Sequence, residues 1–125
     1  MRPVSDRRRA ENIEYEALRV RLLTPQEMRG VAYPPICQAG LRFRRAGFPR
    51  LANRCTGIAT ELHHLRKRSS AGALANPENV LPVCSACNLT VEDHPEEARK
   101  AGLVVREGDS QWDALSSRAW RKNHG

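Results

Sequence analysis

The fold is decided by a stretch that begins at Glu61-Leu62-His63-His64 and ends at Asn79-Val80-Leu81-Pro82-Val83-Cys84-Ser85-Ala86-Cys87-Asn88. Apolar runs flank a polar loop (residues 66–78) that contains serine, glycine and proline, which predicts short strands over 58–65 and 79–83. The residues after Cys84 suit a helix over 85–93. This order of strand, loop, strand and helix indicates a small α+β fold.

The N-terminal part of the chain contains a helical pattern followed by turn-forming residues. Ile13, Ala17 and Val20 recur at helical spacing, with Leu18 and Leu22 beside them, which predicts an amphipathic helix over 10–23. Residues 24–30 begin with Thr-Pro-Gln-Glu, the capping pattern of a short second helix that ends at Gly30. Residues 37–57 are punctuated by glycine and proline, so we expect a loop there.

The C-terminal part adds a further helix and a basic tail. His94-Pro95-Glu96-Glu97 opens a helix that we expect to stop at Gly102, and 103–105 is a candidate strand. A chain of 125 residues has room for one core. We therefore predict a single domain over 10–108 with its central motif at 55–105, a basic arm (1–9) and a basic tail (109–125).

The charge of the chain indicates an anionic partner. Lys and Arg number 21 against 14 acids, and 18 of the 21 are arginine, whose planar guanidinium can grip phosphate oxygens in pairs. Residues 42–68 contain the single acid Glu61 among many cations, so this segment is a candidate phosphate-facing surface. A generally basic composition is the alternative explanation. The candidate DNA-binding residues are Arg42, Arg44, Arg45, Arg66, Lys67 and Arg68.

The sequence argues against a membrane protein and against secretion. No apolar run approaches the roughly 20 residues that cross a bilayer, and the N-terminus lacks the apolar segment of a signal peptide. We therefore expect a cytoplasmic location and no membrane partner. In a reducing compartment, cysteines are more often metal ligands than disulfides.

Four cysteines are candidate ligands of a structural zinc ion. Cys84 and Cys87 form a CxxC knuckle, and Cys37 and Cys55 can supply the other two ligands of a tetrahedral site. The separation of Cys37 from Cys55 by 17 residues is longer than the two to four of a common zinc knuckle. A CxxC redox pair and unligated packing thiols remain as alternatives.

The combination of these elements resembles the HNH endonuclease family, whose fold is a ββα-metal finger. The family pattern is a His-His or Asp-His pair, a loop rich in Arg, Ser and Gly, an Asn before an apolar strand, and a CxxC followed at once by His or Asn. In this chain those elements are 61–64, 66–72, 79–83 and 84–88. The similarity continues to about residue 105 and is greatest to small HNH proteins of bacteriophages.

The resemblance implies roles for the residues of the motif. His64 would be the general base, because an imidazole titrates near neutral pH. His63 would bind a catalytic divalent metal ion, and Asn79 would either orient His64 or brace the loop. A regular strand would direct His63 and His64 to opposite faces, so we expect the strand to bend or end there.

Asn88 stands where the family more often has histidine. Its amide oxygen is a hard ligand that favours Mg²⁺ or Mn²⁺, with Ni²⁺ or Co²⁺ as other candidates. The alternative is that Asn88 only caps a helix. Glu92 shares a helical face with Asn88 and is a further candidate ligand. His94 is a weaker one, expected instead to cap the next helix, and Glu61 is expected to pair with an arginine.

Three functions compete at this point. The first is an HNH endonuclease that hydrolyses double-stranded DNA and leaves 5′-phosphate and 3′-hydroxyl ends, as the resemblance implies. The second is a zinc-stabilised DNA-binding module without catalysis, which gives no reason for His63, His64 and Asn79 to occur together. The third is a packaging factor that works with a phage terminase.

Overall fold

The structure is a computed structural model that describes residues 6–67 and 74–124. The elements in chain order are α1 (Asp6–Leu23), β1 (Gln26–Met28), β2 (Val31–Tyr33), α2 (Ala39–Arg45), α3 (Pro49–Ala52), β3 (Glu61–His64), β4 (Val80–Val83), α4 (Ser85–Asp93), α5 (Pro95–Lys100) and α6 (Ser117–His124). Two short 3₁₀ turns, Pro77–Asn79 and Asp113–Leu115, precede β4 and α6. The fold is therefore mixed α+β, as predicted.

The two predicted strands and the helix are present in the predicted order, while residues 68–73 of the predicted loop lie outside the described residues. β3 and β4 are antiparallel, with Glu61 opposite Val83 and His64 opposite Val80, and α4 follows directly. β3 continues without a break through His63 and ends at His64. The apolar core gathers beside this unit, where Phe43, Val83 and Leu103 are fully buried against the cysteines and Val91.

Helix α1 begins earlier than predicted, and the side that packs against the protein is not the predicted stripe of Ile13, Ala17 and Val20. It starts at Asp6, so residues 6–9 of the expected arm are helical, while residues 1–5 lie outside the described residues. An acid in the first turn favours the positive end of the helix dipole, and Arg7 and Arg8 lie within 4.0 Å of the Glu11 carboxylate. Leu18 is buried, whereas Ile13 and Val20 are exposed.

The second helix predicted at 24–30 is wrong, because β1 and β2 form an antiparallel hairpin there. Thr24 does not cap a new helix; its hydroxyl donates to the Val20 carbonyl at the end of α1. Arg29 and Gly30 both have positive φ, 52° and 79°, which is the backbone of a tight two-residue hairpin turn. Glycine at the second position makes that turn accessible, and the turn chemistry overrides the capping pattern.

The loop predicted at 37–57 is also wrong, because this segment contains α2 and α3. Phe43 in α2 and Leu51 and Ala52 in α3 are buried, so the two short helices supply part of the core. Pro49 occupies the first turn of α3, where its fixed φ favours helix and no amide hydrogen is needed. Gly47 follows α2 and Pro49 begins α3, so these two residues mark helix ends rather than a continuous loop.

The C-terminal segment differs from the prediction in two respects. Residues 103–105 do not form a strand; Leu103 enters the core, and the Val105 N–H donates to the Leu65 carbonyl at 2.8 Å. The predicted tail contains α6 and packs on the domain through Trp112. The Arg66 guanidinium lies 4.0 Å from the centre of the Trp112 ring and donates to its carbonyl at 2.8 Å.

Asn76 is the second attachment of the C-terminal segment. This asparagine is fully buried; its Nδ2 donates to the carbonyls of Ala114 and Ser116 at 3.0 and 2.7 Å, and its Oδ1 accepts from Glu78 N–H at 2.9 Å.

Among the helices that the structure describes, none combines the length and the hydropathy that a bilayer crossing needs.

We predict that Asn76→Ala lowers the free energy of unfolding by about 2 to 4 kcal/mol, because a fully buried side chain loses its three hydrogen bonds. Chemical denaturation followed by circular dichroism measures the change. The control is Asn12→Ala on the exposed surface of α1, for which we expect a change within about 0.5 kcal/mol. Equal effects of the two substitutions would show that the C-terminal segment does not contribute to the fold.

Candidate functional site

The four cysteines converge on one point. The sulfur atoms of Cys37, Cys55, Cys84 and Cys87 all lie within 4.8 Å of one another, a group that could hold a metal ion. Three of the four residues are buried and Cys55 is partly buried. None of them is in a disulfide. In the two ranges that the structure describes, no second group of three His, Cys, Asp or Glu ligand atoms is assembled in this way.

Local structure explains how a 17-residue gap still brings Cys37 and Cys55 together. The chain between them forms α2 and α3, which pack on each other and return Cys55 to the start of α2. The Cys37 N–H donates to the Gly57 carbonyl at 2.9 Å, which ties the two ends of the segment. The 17 residues between the two cysteines therefore fold into a helix pair, so this long spacing is compatible with a four-cysteine site.

The other two cysteines belong to the junction of β4 and α4. Cys84 is the N-cap residue of α4, and its sulfur accepts hydrogen bonds from the N–H groups of Cys87 at 3.3 Å and Thr56 at 3.4 Å. These bonds suit a thiolate, which accepts more strongly than a thiol. Thr56 had no signal in the sequence that distinguished it as a partner of the cluster.

Gly40 is required by the close approach of α2 to this cluster. A Cβ atom built on Gly40 would lie 2.8 Å from both Cβ and Sγ of Cys55, closer than non-bonded heavy atoms tolerate. The sequence predicts a loop at Gly40, but this residue lies inside α2, where the absence of a side chain makes room for Cys55, a candidate metal ligand.

The electrostatics of the cluster favour a bound cation. A hydrogen bond with Cys87 lowers the pKa of Cys37 to about 4, and the same contact raises the pKa of Cys87. Burial raises the pKa of Cys55. Burial acts in the same direction on Cys84, but its pKa is lowered as well, because hydrogen bonds with Thr56 and Cys87 together outweigh that effect. The cluster therefore combines sulfurs that favour the thiolate with sulfurs that retain their protons. A divalent metal removes this conflict, since thiolates are its ligands.

A second constellation lies where β3 meets α4. Glu61 and His63 are two residues apart on β3 and so share a face of the strand. The Asn88 Nδ2 donates to Glu61 Oε2 at 2.6 Å. This contact engages the amide nitrogen of Asn88, and the same side chain also interacts with His63.

This contact corrects two expectations. Glu61 was expected to pair with an arginine, but its carboxylate accepts a hydrogen bond from Asn88. Asn88 does not cap a helix, since Cys84 is the cap of α4 and Asn88 is the fourth helical residue. The helical-cap alternative for Asn88 is therefore wrong.

His63 is held as a neutral imidazole. Burial lowers its pKa, and the nearby Arg42 charge acts in the same direction, against the opposing effects of the Leu103 carbonyl, Asn88 and Glu92. Its Nε2 lies 2.5 Å from the Leu103 carbonyl, so this nitrogen donates and Nδ1 carries the lone pair. A neutral imidazole with a fixed tautomer is the form that binds metal ions.

A cleft of about 960 Å³ opens beside these residues. Both histidines, His63 and His64, border it, as do Asn88 and Glu92 from α4. Two cations, Lys67 and Arg106, line the same cleft. His94 is not among its lining residues; it begins α5, but its side chain makes no capping hydrogen bond and instead lies 3.8 Å from Glu97 and 3.4 Å from Arg54.

His64 ends β3 and Asn79 directly precedes the paired strand β4, but their side chains contact different residues. The His64 Nε2 lies 3.1 Å from the Leu74 carbonyl, and its ring packs 5.5 Å from the Tyr15 ring of α1. Asn79 is fully buried and bonds the Arg66 backbone twice, accepting from N–H at 2.7 Å and donating to the carbonyl at 2.9 Å. Of the two roles considered for Asn79, these contacts are those of a loop brace.

The basic residues predicted to bind DNA are dispersed. Arg42 is half-buried and donates to the Gly102 carbonyl at 3.1 Å. Arg44 is exposed and contacts Asn53, and Arg45 is also exposed.

The last three lie after β3. Arg66 is buried on Trp112, so its guanidinium holds the C-terminal segment. Lys67 is exposed at the cleft, and Arg68 lies outside the described residues.

Comparison with known proteins yields no relative. The chain matches no protein-family model, and no characterised protein or solved structure is significantly similar to it. The function must therefore be inferred from the residues and contacts described above.

We predict that Gly40→Ala lowers the free energy of unfolding by about 1 to 3 kcal/mol, because the added methyl group must displace Cys55. It should also weaken the binding of Co²⁺, followed by the thiolate charge-transfer absorption of the complex. The control is Leu41→Ala, at the exposed neighbouring position of α2. A Gly40→Ala protein with unchanged stability and Co²⁺ affinity would contradict the close approach.

Proposed function

We propose that this protein is a metal-dependent endonuclease of the HNH type that hydrolyses double-stranded DNA. The observation that carries the proposal is that His63, Asn88 and Glu92 line one cleft, where Glu61 holds the Asn88 amide by a hydrogen bond of 2.6 Å. A helix-capping or purely structural asparagine has no need of this arrangement. The order of β3, β4 and α4 around it agrees with the ββα-metal finger that the resemblance implies.

The residues at the cleft fit a hard divalent cation. His63 Nδ1 and Asn88 Oδ1 would hold it, with Glu92 one helical turn beyond Asn88 as the third candidate. An amide oxygen and a carboxylate suit Mg²⁺ or Mn²⁺ better than Zn²⁺. When bound, such an ion neutralises phosphate charge and supports the departing oxygen.

The chain itself supplies the base and part of the phosphate binding. In the proposed reaction His64 takes a proton from water as the water oxygen bonds to phosphorus, and the bond from phosphorus to the 3′-oxygen breaks. The 3′-oxygen gains a proton, which leaves a 3′-hydroxyl and a 5′-phosphate. Lys67 and Arg106 line the cleft where the phosphate would lie. The net charge of +7 supplies affinity that does not depend on sequence.

We further propose that the four-cysteine group holds a structural zinc ion. Four sulfur ligands, three buried and one partly buried, would fill a tetrahedral site and leave no coordination place for substrate, which is the arrangement of a closed structural site. Its chemistry differs from that of the cleft, where the candidate ligands are nitrogen and oxygen. The two ions would thus have separate tasks.

A non-catalytic, zinc-stabilised DNA-binding module is the second candidate. It is favoured by the packing of His64 on Tyr15 and by the absence, within the described residues, of a second assembled group of His, Cys, Asp or Glu ligands. Such a module would bind DNA and leave it intact.

A plasmid assay separates the two candidates. We predict that the protein converts supercoiled plasmid to nicked or linear forms with Mg²⁺ or Mn²⁺, and that EDTA prevents this. His64→Ala should reduce the rate on the order of 10²- to 10⁴-fold with nearly unchanged DNA affinity, because it removes the base and not the phosphate contacts. His94→Ala is the control, since His94 does not line the cleft. Intact plasmid under all metals would support the binding module.

We also predict that Glu61→Ala and Asn88→Ala raise the metal concentration for half-maximal cleavage, each by about 10- to 100-fold. The first frees the Asn88 amide to rotate, and the second removes its oxygen. Glu27→Ala, at an exposed position of β1, is the matched control for loss of a carboxylate. If metal titrations give the same midpoint for all four proteins, Asn88 and Glu61 are not part of the metal site.

A further inference from the structure

We propose that two copies of this chain associate through the outward face of α1, with the two helices antiparallel. Helix α1 has two opposite faces. Glu11, Tyr15, Leu18 and Leu22 recur at helical spacing and face the protein, with Glu11 and Leu18 buried and Tyr15 stacked on His64. Ile13, Ala17 and Val20 lie on the other side, and Ile13 and Val20 are 72% and 61% exposed.

The outward face has the composition of a helix-helix seam. Its three apolar residues are spaced four and three apart, as in the contact stripe of paired helices. Ala17 at the centre is small, which allows two backbones to approach closely. Single exposed apolar side chains are common, but a continuous stripe over two turns indicates a contact surface.

The charges beside the stripe favour a second copy over nucleic acid. Glu14 and Arg21 lie on one flank of the stripe and Glu16 lies on the other, so the stripe is bordered by charges of both signs rather than by the continuous positive charge that suits phosphate groups. Although the whole chain carries +7, α1 holds five arginines and four acids and is nearly neutral. The overall charge therefore does not oppose contact along this helix.

The same charges select the antiparallel orientation. In an antiparallel pair, each flank of one helix faces the same flank of the other. Glu14 and Arg21 share one flank seven residues apart, so each Glu14 meets the Arg21 of the other copy, twice across the two-fold axis. A parallel pair would instead place the Arg7 to Arg9 clusters of both copies side by side.

The test is sedimentation velocity of the full chain over a range of concentrations. We expect a dimer, and we expect Val20→Glu to weaken it on the order of 10- to 100-fold because it places a charge in the seam. Leu89→Glu, at another exposed apolar position, is the control and should leave the dimer intact. A wild-type protein that stays monomeric at every concentration would overturn the proposal, as would a Val20→Glu dimer of unchanged affinity.

Charge exchange tests the orientation. Glu14→Arg alone and Arg21→Glu alone should each weaken the dimer, and the double variant should restore it, because the opposite charges then face each other again. In a parallel pair the double variant would be weaker than either single one, which would overturn the antiparallel arrangement. Circular dichroism of each variant shows that the helix is retained. Nuclease activity enters none of these measurements, so this inference can fail or hold independently of the proposed reaction.

Discussion

The convergence of four sulfur atoms within 4.8 Å is the constraint on which the rest of the structure depends. It joins the start of α2, the end of α3 and the junction of β4 with α4, segments that are up to 50 residues apart in the chain. The buried apolar side chains, including Phe43, Val83 and Leu103, surround the same point. In so small a domain, a metal ion held by these four sulfurs would supply much of the stability of the core.

The cluster also positions the cleft. Cys87 is fixed in the first turn of α4, and Asn88 follows it directly, so the position of Asn88 opposite Glu61 is set by the cysteine site. Asn79 braces the start of the loop after β3, and Arg66 and Asn76 hold the C-terminal segment against it. The cysteine group, the Asn79 brace and the cleft thus all involve the hairpin of β3 and β4 and the helix that follows it.

The sequence predicted this central unit well and its surroundings poorly, for physical reasons. β3, β4, α4 and α5 are marked by local signals: apolar runs for the strands, the residue pattern after Cys84 for α4 and a proline in the first turn of α5. The helix pair α2 and α3 was missed because its helices have seven and four residues, too short for a periodic pattern. The contact of Glu61 with Asn88 spans 27 residues and the closeness of Gly40 to Cys55 depends on tertiary packing, so neither has a local signature. For α1 the period was evident, but spacing alone did not tell which of two stripes is buried.

The chemistry of the cysteine cluster offers the most direct test. X-ray absorption at the zinc edge, on protein purified without added metal, measures both the ion and its ligands. We predict about one zinc per chain surrounded by four sulfur atoms at about 2.3 Å. A folded protein without zinc, or a zinc ion bound mainly by nitrogen and oxygen, would contradict it.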